Sequence, residues 1–291
     1  MSANNIETMQ EKVTGGEGGL HVRSWRPVGQ ARGVVVIVPG FNSHSGYYEW
    51  TGAELAAKGF ATFALDLRGR GQSDGERYFV RSADEYVSDV DVLVKLAKSR
   101  LPALPLFLFG HSAGGVISCV YTLEHQEELT GLICESFAFE VYAPDFALAV
   151  LKGISHIAPH AHVLKLPNKE FSRLPEVVAM MDSDPFVAHE VQPTSTVAAM
   201  VRADERLKVE FPRITLPVFI LHGTNDKVTK PSGSQFFYKT AGSTDKTLKL
   251  YEHHYHDLLN DADKEKVMID IITWLGARAG EPGRSTTAAS S

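Results

Sequence analysis

Residues 105–115 read PLFLFGHSAGG. Leu106, Phe107, Leu108 and Phe109 form an unbroken apolar run, which is what a strand covered on both faces requires. Beyond Ser112, the residues Val116, Ile117, Cys119, Val120 and Leu123 recur at helical spacing. Ser112 therefore stands at a strand-to-helix turn. Gly110 and Gly114 flank it, where side chains would strike neighbouring backbone. A serine so placed is held out at the top of a sheet and reads as a nucleophile; a serine that only caps a helix is the plainer alternative.

The same alternation extends outward from this turn. After a polar start, residues 20–25 read as an edge strand and Gly33–Val38 (GVVVIV) as a fully buried one. A helix over 46–58 stops at Gly59, and a second buried strand follows over 60–67. Residues 68–75 are a glycine-rich loop. Ser82 and Glu85 then form a capping box that opens a helix with Tyr86, Val90, Leu93, Val94 and Ala97 on one face. Downstream come strands at 129–136, 216–222 and 247–251, a helix at 231–240, and a final helix carrying Val267, Met268, Ile271, Trp274 and Leu275. Strand and helix in repeated succession specify an α/β fold, a doubly wound and mostly parallel sheet. Between residues 139 and 206 the alternation stops. That segment holds several prolines, His156, His160 and His162, and an apolar patch, but no buried strand, so it reads as a helical insertion. The expected organisation is core over 1–138, insertion over 139–206, core again over 207–279, and a disordered tail over 280–291.

The chain has 291 residues, 44% of them hydrophobic, and a net charge of −6 with Lys and Arg scattered along it. No basic face is offered to nucleic acid. The amino-terminal residues contain no apolar core and no segment reaches the length of a membrane span, which predicts a cytoplasmic protein that is not exported. Cys119 and Cys134 read as buried thiols in a reducing compartment, not a disulfide.

A serine hydroxyl needs a base to take its proton and an acid to orient that base. Asp226 follows a buried strand, so its carboxylate can reach over the sheet edge; an acid in a surface turn is the alternative. His253, His254 and His256 share the loop after the last strand, and only His256 is followed by Asp-Leu-Leu and the final helix. His256 is the chosen base. A histidine metal site would leave the Ser112 turn unexplained and lacks a further Cys or carboxylate at ligand spacing, so no metal is expected. The N–H groups of Ala113 and Phe41 are the expected oxyanion donors, one beside the nucleophile and one after the first central strand. His44 and Tyr47, near Phe41, are candidate substrate contacts, with loop packing as their alternative.

With these residues in place the chain resembles the α/β-hydrolases of the monoacylglycerol lipase and lysophospholipase group. The resemblance rests on the loop from Pro39 to Gly46, the segment DLRGRGQSDG over 66–75, GHSAGG, HGTNDKV and YHDLL. Two departures stand out: Pro39-Gly40-Phe41 replaces the family's common His-Gly, and Ala113 stands where many of these lipases carry methionine. The resemblance implies a helical cap between the sixth and seventh strands, coincident with the insertion. Phe139, Tyr142 and Phe146 in that cap are candidate acyl contacts, and its apolar residues either form the cap's own core or line an acyl tunnel or rest on lipid surfaces. The implied activity is hydrolysis of a lipophilic single-chain ester through an acyl-enzyme, without cofactor. Alternatives are a short-chain carboxylesterase, a thioesterase or amidase, or a silent hydrolase fold used for binding. Haloalkane dehalogenase and epoxide hydrolase chemistry would place an aspartate at position 112.

Overall fold

The structure is a computed structural model that describes residues 6–16 and 18–280. In chain order the strands are β1 (Ile6–Gly15), β2 (Gly18–Pro27), β3 (Gly33–Val38), β4 (Phe60–Leu65), β5 (Leu106–His111), β6 (Gly131–Glu135), β7 (His162–Leu164), β8 (Gln192–Pro193), β9 (Val218–Gly223) and β10 (Lys246–Tyr251). The helices are α1 (Glu49–Ala57), α2 (Ala83–Arg100), α3 (Ala113–His125), α4 (Asp145–Ile154), α5 (Pro175–Ser183), α6 (Thr194–Glu210), α7 (Pro231–Thr240) and α8 (Lys264–Ala279). An eight-stranded sheet runs β1-β2-β4-β3-β5-β6-β9-β10. From β4 to β10 every pairing is parallel, as helical crossovers require, and β1 and β2 complete the sheet antiparallel.

β3, β4, β5, β6 and β9 are buried along their whole length, since helices cover both faces. One apolar cluster joins α2, α3 and α6 to one face of the sheet through residues such as Val36, Leu108, Val90, Val116 and Leu207. A second joins α1 and α8 to the other face through Ile37, Phe109, Leu55, Ile271 and Trp274. At α2, Ser82 Oγ accepts from Asp84 N at 3.2 Å and Glu85 Oε1 from Arg81 N at 3.0 Å, so the box closes one residue upstream of Ser82 itself.

The structure departs from the sequence reading at two places. Residues 20–25 are not an edge: β2 is paired on both sides, and β1 forms the edge. β1 is mostly solvent-exposed and alternates no apolar face, so its backbone ladder to β2 leaves no hydrophobic period to read. The segment between β6 and β9 carries α4, α5, the short β7-β8 ribbon and α6. α6 extends through Glu210 and buries Val197, Ala198, Ala203 and Leu207, so the expected boundary at 206 lies inside a helix. The tail expected from 280 lies, after Gly280, outside the described residues.

Candidate active site

Three strands end at one edge of the sheet in backbone that few residues adopt. Asn42 after β3, Ser112 after β5 and Ser136 after β6 have φ of 52°, 54° and 46°. For side chains other than glycine each such turn costs roughly 1–3 kcal/mol and persists only when its surroundings fix it. Ser112, with ψ −121°, is the N-cap of α3, and its N–H donates to Glu135 O at 2.9 Å. The flanking glycines are required by close approach. A Cβ on Gly114 would sit 2.1 Å from Val38 O, and one on Gly110 would sit 2.5 Å from Gly114 O. The loop after β3 lies equally tight on the serine, because a Cβ on Gly40 would come 2.7 Å from Ser112 Cβ.

Asp226 and His256 meet at the same edge. His256 Nδ1 lies 2.7 Å from Asp226 Oδ2, and both side chains are fully buried. Oδ1 accepts the N–H groups of Val228 and Thr229 at 2.7 and 2.9 Å, and the Thr229 hydroxyl lies 2.8 Å from Oδ2. Burial alone would raise this carboxyl's pKa, but the His256 and His222 imidazoles beside it outweigh that and hold it well below the ordinary range. It is an anion at any working pH. The His256 ring is wedged between Phe171, edge-on at 5.0 Å, and His111, also at 5.0 Å between centroids. Its Nε2 is buried with no hydrogen-bond partner among the described residues, so it is not yet bonded to Ser112. Ser112 is 4% exposed. The site is thus closed, with a base whose free nitrogen is shielded from water.

Phe41 lies in the loop that follows β3, and Ala113 is the first residue of α3. The Phe41 ring lies beneath the Arg70 guanidinium at 4.1 Å, and Arg70 also bonds Glu190 and Gln192. Glu190 Oε1 in turn accepts Asn42 N at 3.0 Å. This side of the β3 loop is therefore anchored to the segment before α6.

The remaining candidates divide. His44 Nε2 and Tyr47 OH lie 2.8 and 3.0 Å from Asp184 Oδ2, so these polar atoms bind the insertion and do not face an open pocket. Phe139 packs among Phe137, Phe211 and Phe236, inside an aromatic cluster and not free in a tunnel. Tyr142 donates its hydroxyl to Asp226 O at 2.9 Å while its ring stays largely exposed. Phe146 is 74% exposed and shares an apolar α4 face with Val150 and Ile154, continued by Ile157. Among the clustered histidines, His160 bonds Glu76 at 2.7 Å and stacks on Phe79, whereas His156 faces Arg202.

Several residues of the site were not singled out from the sequence. Arg70, Asp184 and Glu190 are tied to partners more than a hundred positions away, and only the folded chain brings them together. His222 ends a strand that reads as purely apolar, yet its Nε2 lies 3.1 Å from Asp226 Oδ2. A histidine four residues before the acid was the available sign. His111, Glu135 and Asp257 bring ligand-type atoms within 4.8 Å of one another. Glu135 Oε1, however, accepts Leu258 N at 2.7 Å and Asp257 Oδ2 accepts Asn260 Nδ2 at 3.0 Å, so these carboxyls anchor the loop that carries His256.

Comparison with known proteins gives a consistent set of relatives. The family model described as serine aminopeptidase, S33, matches residues 29–263. A monoacylglycerol lipase of Mycolicibacterium smegmatis is 31% identical over 92% of this chain and 97% of its own length. A caffeoylshikimate esterase of Arabidopsis thaliana is 30% identical over 92% of this chain and 85% of its own. The crystal structure of Paleococcus ferrophilus monoacylglycerol lipase superposes with a TM-score of 0.80 at 30% identity, covering 88% of this chain and 98% of that one.

Proposed function

The chain belongs to the serine aminopeptidase S33 family of α/β-hydrolases, in which it is a carboxylic ester hydrolase, and we propose that it cleaves lipophilic single-chain esters such as monoacylglycerols through an acyl-enzyme on Ser112. The observation that carries the reading is the strained Ser112 turn at the sheet edge where Asp226 holds His256 by Nδ1 and leaves Nε2 free. Ser112 Oγ attacks the ester carbonyl as His256 Nε2 takes its proton. Asp226 fixes the tautomer with Nδ1–H and stabilises the imidazolium, while Ala113 and Phe41 N–H receive the oxyanion. His256 then returns the proton to the leaving alcohol and draws one from water for deacylation.

The lipophilic half of the reading is supported by the exposed apolar face of α4, where Phe146, Val150, Ile154 and Ile157 lie on one side of the insertion. Such a face suits a lipid aggregate more than water. Among the described residues no helix is long and apolar enough to cross a membrane. A second reading, an esterase for compact or aromatic acyl groups, is favoured by the tight burial of Ser112 and by the plant esterase among the relatives. Hydrolysis rates for monoacylglycerols from two to eighteen acyl carbons distinguish them, the lengths spanning roughly the range that apolar burial per CH₂ can discriminate. A rise of kcat/KM with chain length into the medium or long range is the expected result. A maximum at acetyl or butyryl overturns it in favour of the second reading.

A further inference from the structure

Asp226 Oδ2 serves two imidazoles, not one. His256 Nδ1 is 2.7 Å away and His222 Nε2 is 3.1 Å away, while the Thr229 hydroxyl lies 3.4 Å from each of those nitrogens. His222 is itself oriented from behind, since its Nδ1 lies 2.7 Å from the Ser234 hydroxyl on α7. All of these side chains are buried. A carboxylate accepts only, so the nitrogen that faces Asp226 must carry a hydrogen, and the Ser234 hydroxyl can adapt to the other. The chain of contacts therefore runs Ser234, His222, Asp226, His256, and its order is fixed by chemistry.

We infer that His222 is a positioning residue that sets the basicity of His256 by sharing its carboxylate. This rests on the proposed roles of Ser112, Asp226 and His256. A second N–H on Oδ2 withdraws part of the charge that would stabilise the His256 imidazolium, and it also stops the carboxylate from rotating about its axis. His222 thus holds the proton affinity of His256 below the value that Asp226, with Thr229 still on Oδ2, would give it without the second imidazole. The direction is the same whether His222 is neutral or charged, because a cation there would repel the imidazolium as well. The other ionisable groups around the pair are His111 at the end of β5, Glu135 at the end of β6, Asp257 next to His256, and Tyr142, whose hydroxyl binds the Asp226 carbonyl.

The test is the pH dependence of kcat/KM for an ester substrate. His222→Leu keeps the volume and removes the donor, so the acid limb is expected to move to higher pH by roughly half to one unit. His222→Gln places an amide N–H near the position of Nε2 and is expected to return the limb toward that of the natural protein. A residue that only fills space would lower thermal stability and leave the limb where it was. An unmoved limb in active His222→Leu, or a Gln variant that shifts as far as Leu, overturns the inference. If the Leu variant does not fold, His222→Asn decides by the same shift, since its shorter amide stops short of Asp226. Labelling of Ser112 by a fluorophosphonate in the unmodified protein separates the two levels. Absent labelling sinks the proposed nucleophile, whereas labelling with an unmoved limb sinks only the role of His222.

Discussion

Arg70→Met tests how the insertion is bound to the catalytic edge. The substitution keeps an apolar stem and removes a guanidinium that is 1% exposed. Lost with it are the ion pair to Glu190, a hydrogen bond to Gln192 Oε1 at 2.7 Å, one to the Tyr86 hydroxyl at 3.2 Å, and the stacking over Phe41 at 4.1 Å. Glu190, itself 2% exposed, would remain as a buried carboxylate with only Asn42 N and the Gln192 amide to hold it. Breaking a buried pair from one side costs about 3–5 kcal/mol. For a chain of this length the unfolding entropy is about 0.6 kcal/mol/K, so the expected fall in Tm is about 5–8 °C. Since Glu190 also orders the Asn42 N–H beside the proposed oxyanion donor, the loss of activity should fall on kcat more than on KM. Calorimetry and steady-state kinetics read both effects. Adding Glu190→Gln to the same chain should restore at least half of the lost stability, because the stranded charge is then gone. A fall in Tm of less than about 2 °C for the single variant, or no recovery in the double, would refute the reasoning.

His111 gives a pH signature. Burial first, and then the neighbouring His256, depress its pKa to about 3 against 6.5 for a free imidazole, so the folded protein keeps it neutral while the unfolded chain takes up a proton below pH 6.5. Its contribution to stability is therefore complete above that pH and falls as the pH drops, by about 1.4 kcal/mol per unit. Between pH 7 and 5 the natural protein should lose about 2 kcal/mol more than His111→Asn in denaturant titrations; equal losses would count against a neutral buried ring. Two glycine substitutions should part company. Gly114→Ala drives a methyl to 2.1 Å from Val38 O and 2.5 Å from Pro39 O, and is expected to abolish folding or activity. Gly153→Ala in α4 meets nothing within 4 Å and should stabilise by about 0.5–1 kcal/mol. Thermal melts of the two purified variants check the contrast.

The parts of the site that were legible are those in which one local pattern forces one geometry. GHSAGG after an apolar run dictates the turn at Ser112, and the position of Asp226 after the buried β9 and of His256 after its parallel neighbour β10 brings them to the same edge. What was not legible depends on contacts between distant residues. His44 and Tyr47 read as candidate substrate contacts or as loop packing because Asp184, which binds both, lies about 140 positions further on. Phe139 reads as a cap residue, yet it completes an aromatic cluster with Phe211 and Phe236, neither of them its neighbour in sequence. β1 escaped for the opposite reason. Its hydrogen bonds to β2 are backbone alone, and a backbone ladder on an exposed edge writes no apolar period into the sequence.

The most direct test is hydrolysis of a medium-chain monoacylglycerol by the natural protein and by Ser112→Ala, with the variant's fold checked by its melting curve. The account predicts turnover by the natural protein and a fall on the order of a thousandfold or more in a variant that melts normally. Turnover that survives the substitution would contradict the assignment of Ser112 as nucleophile, and with it the acyl-enzyme route.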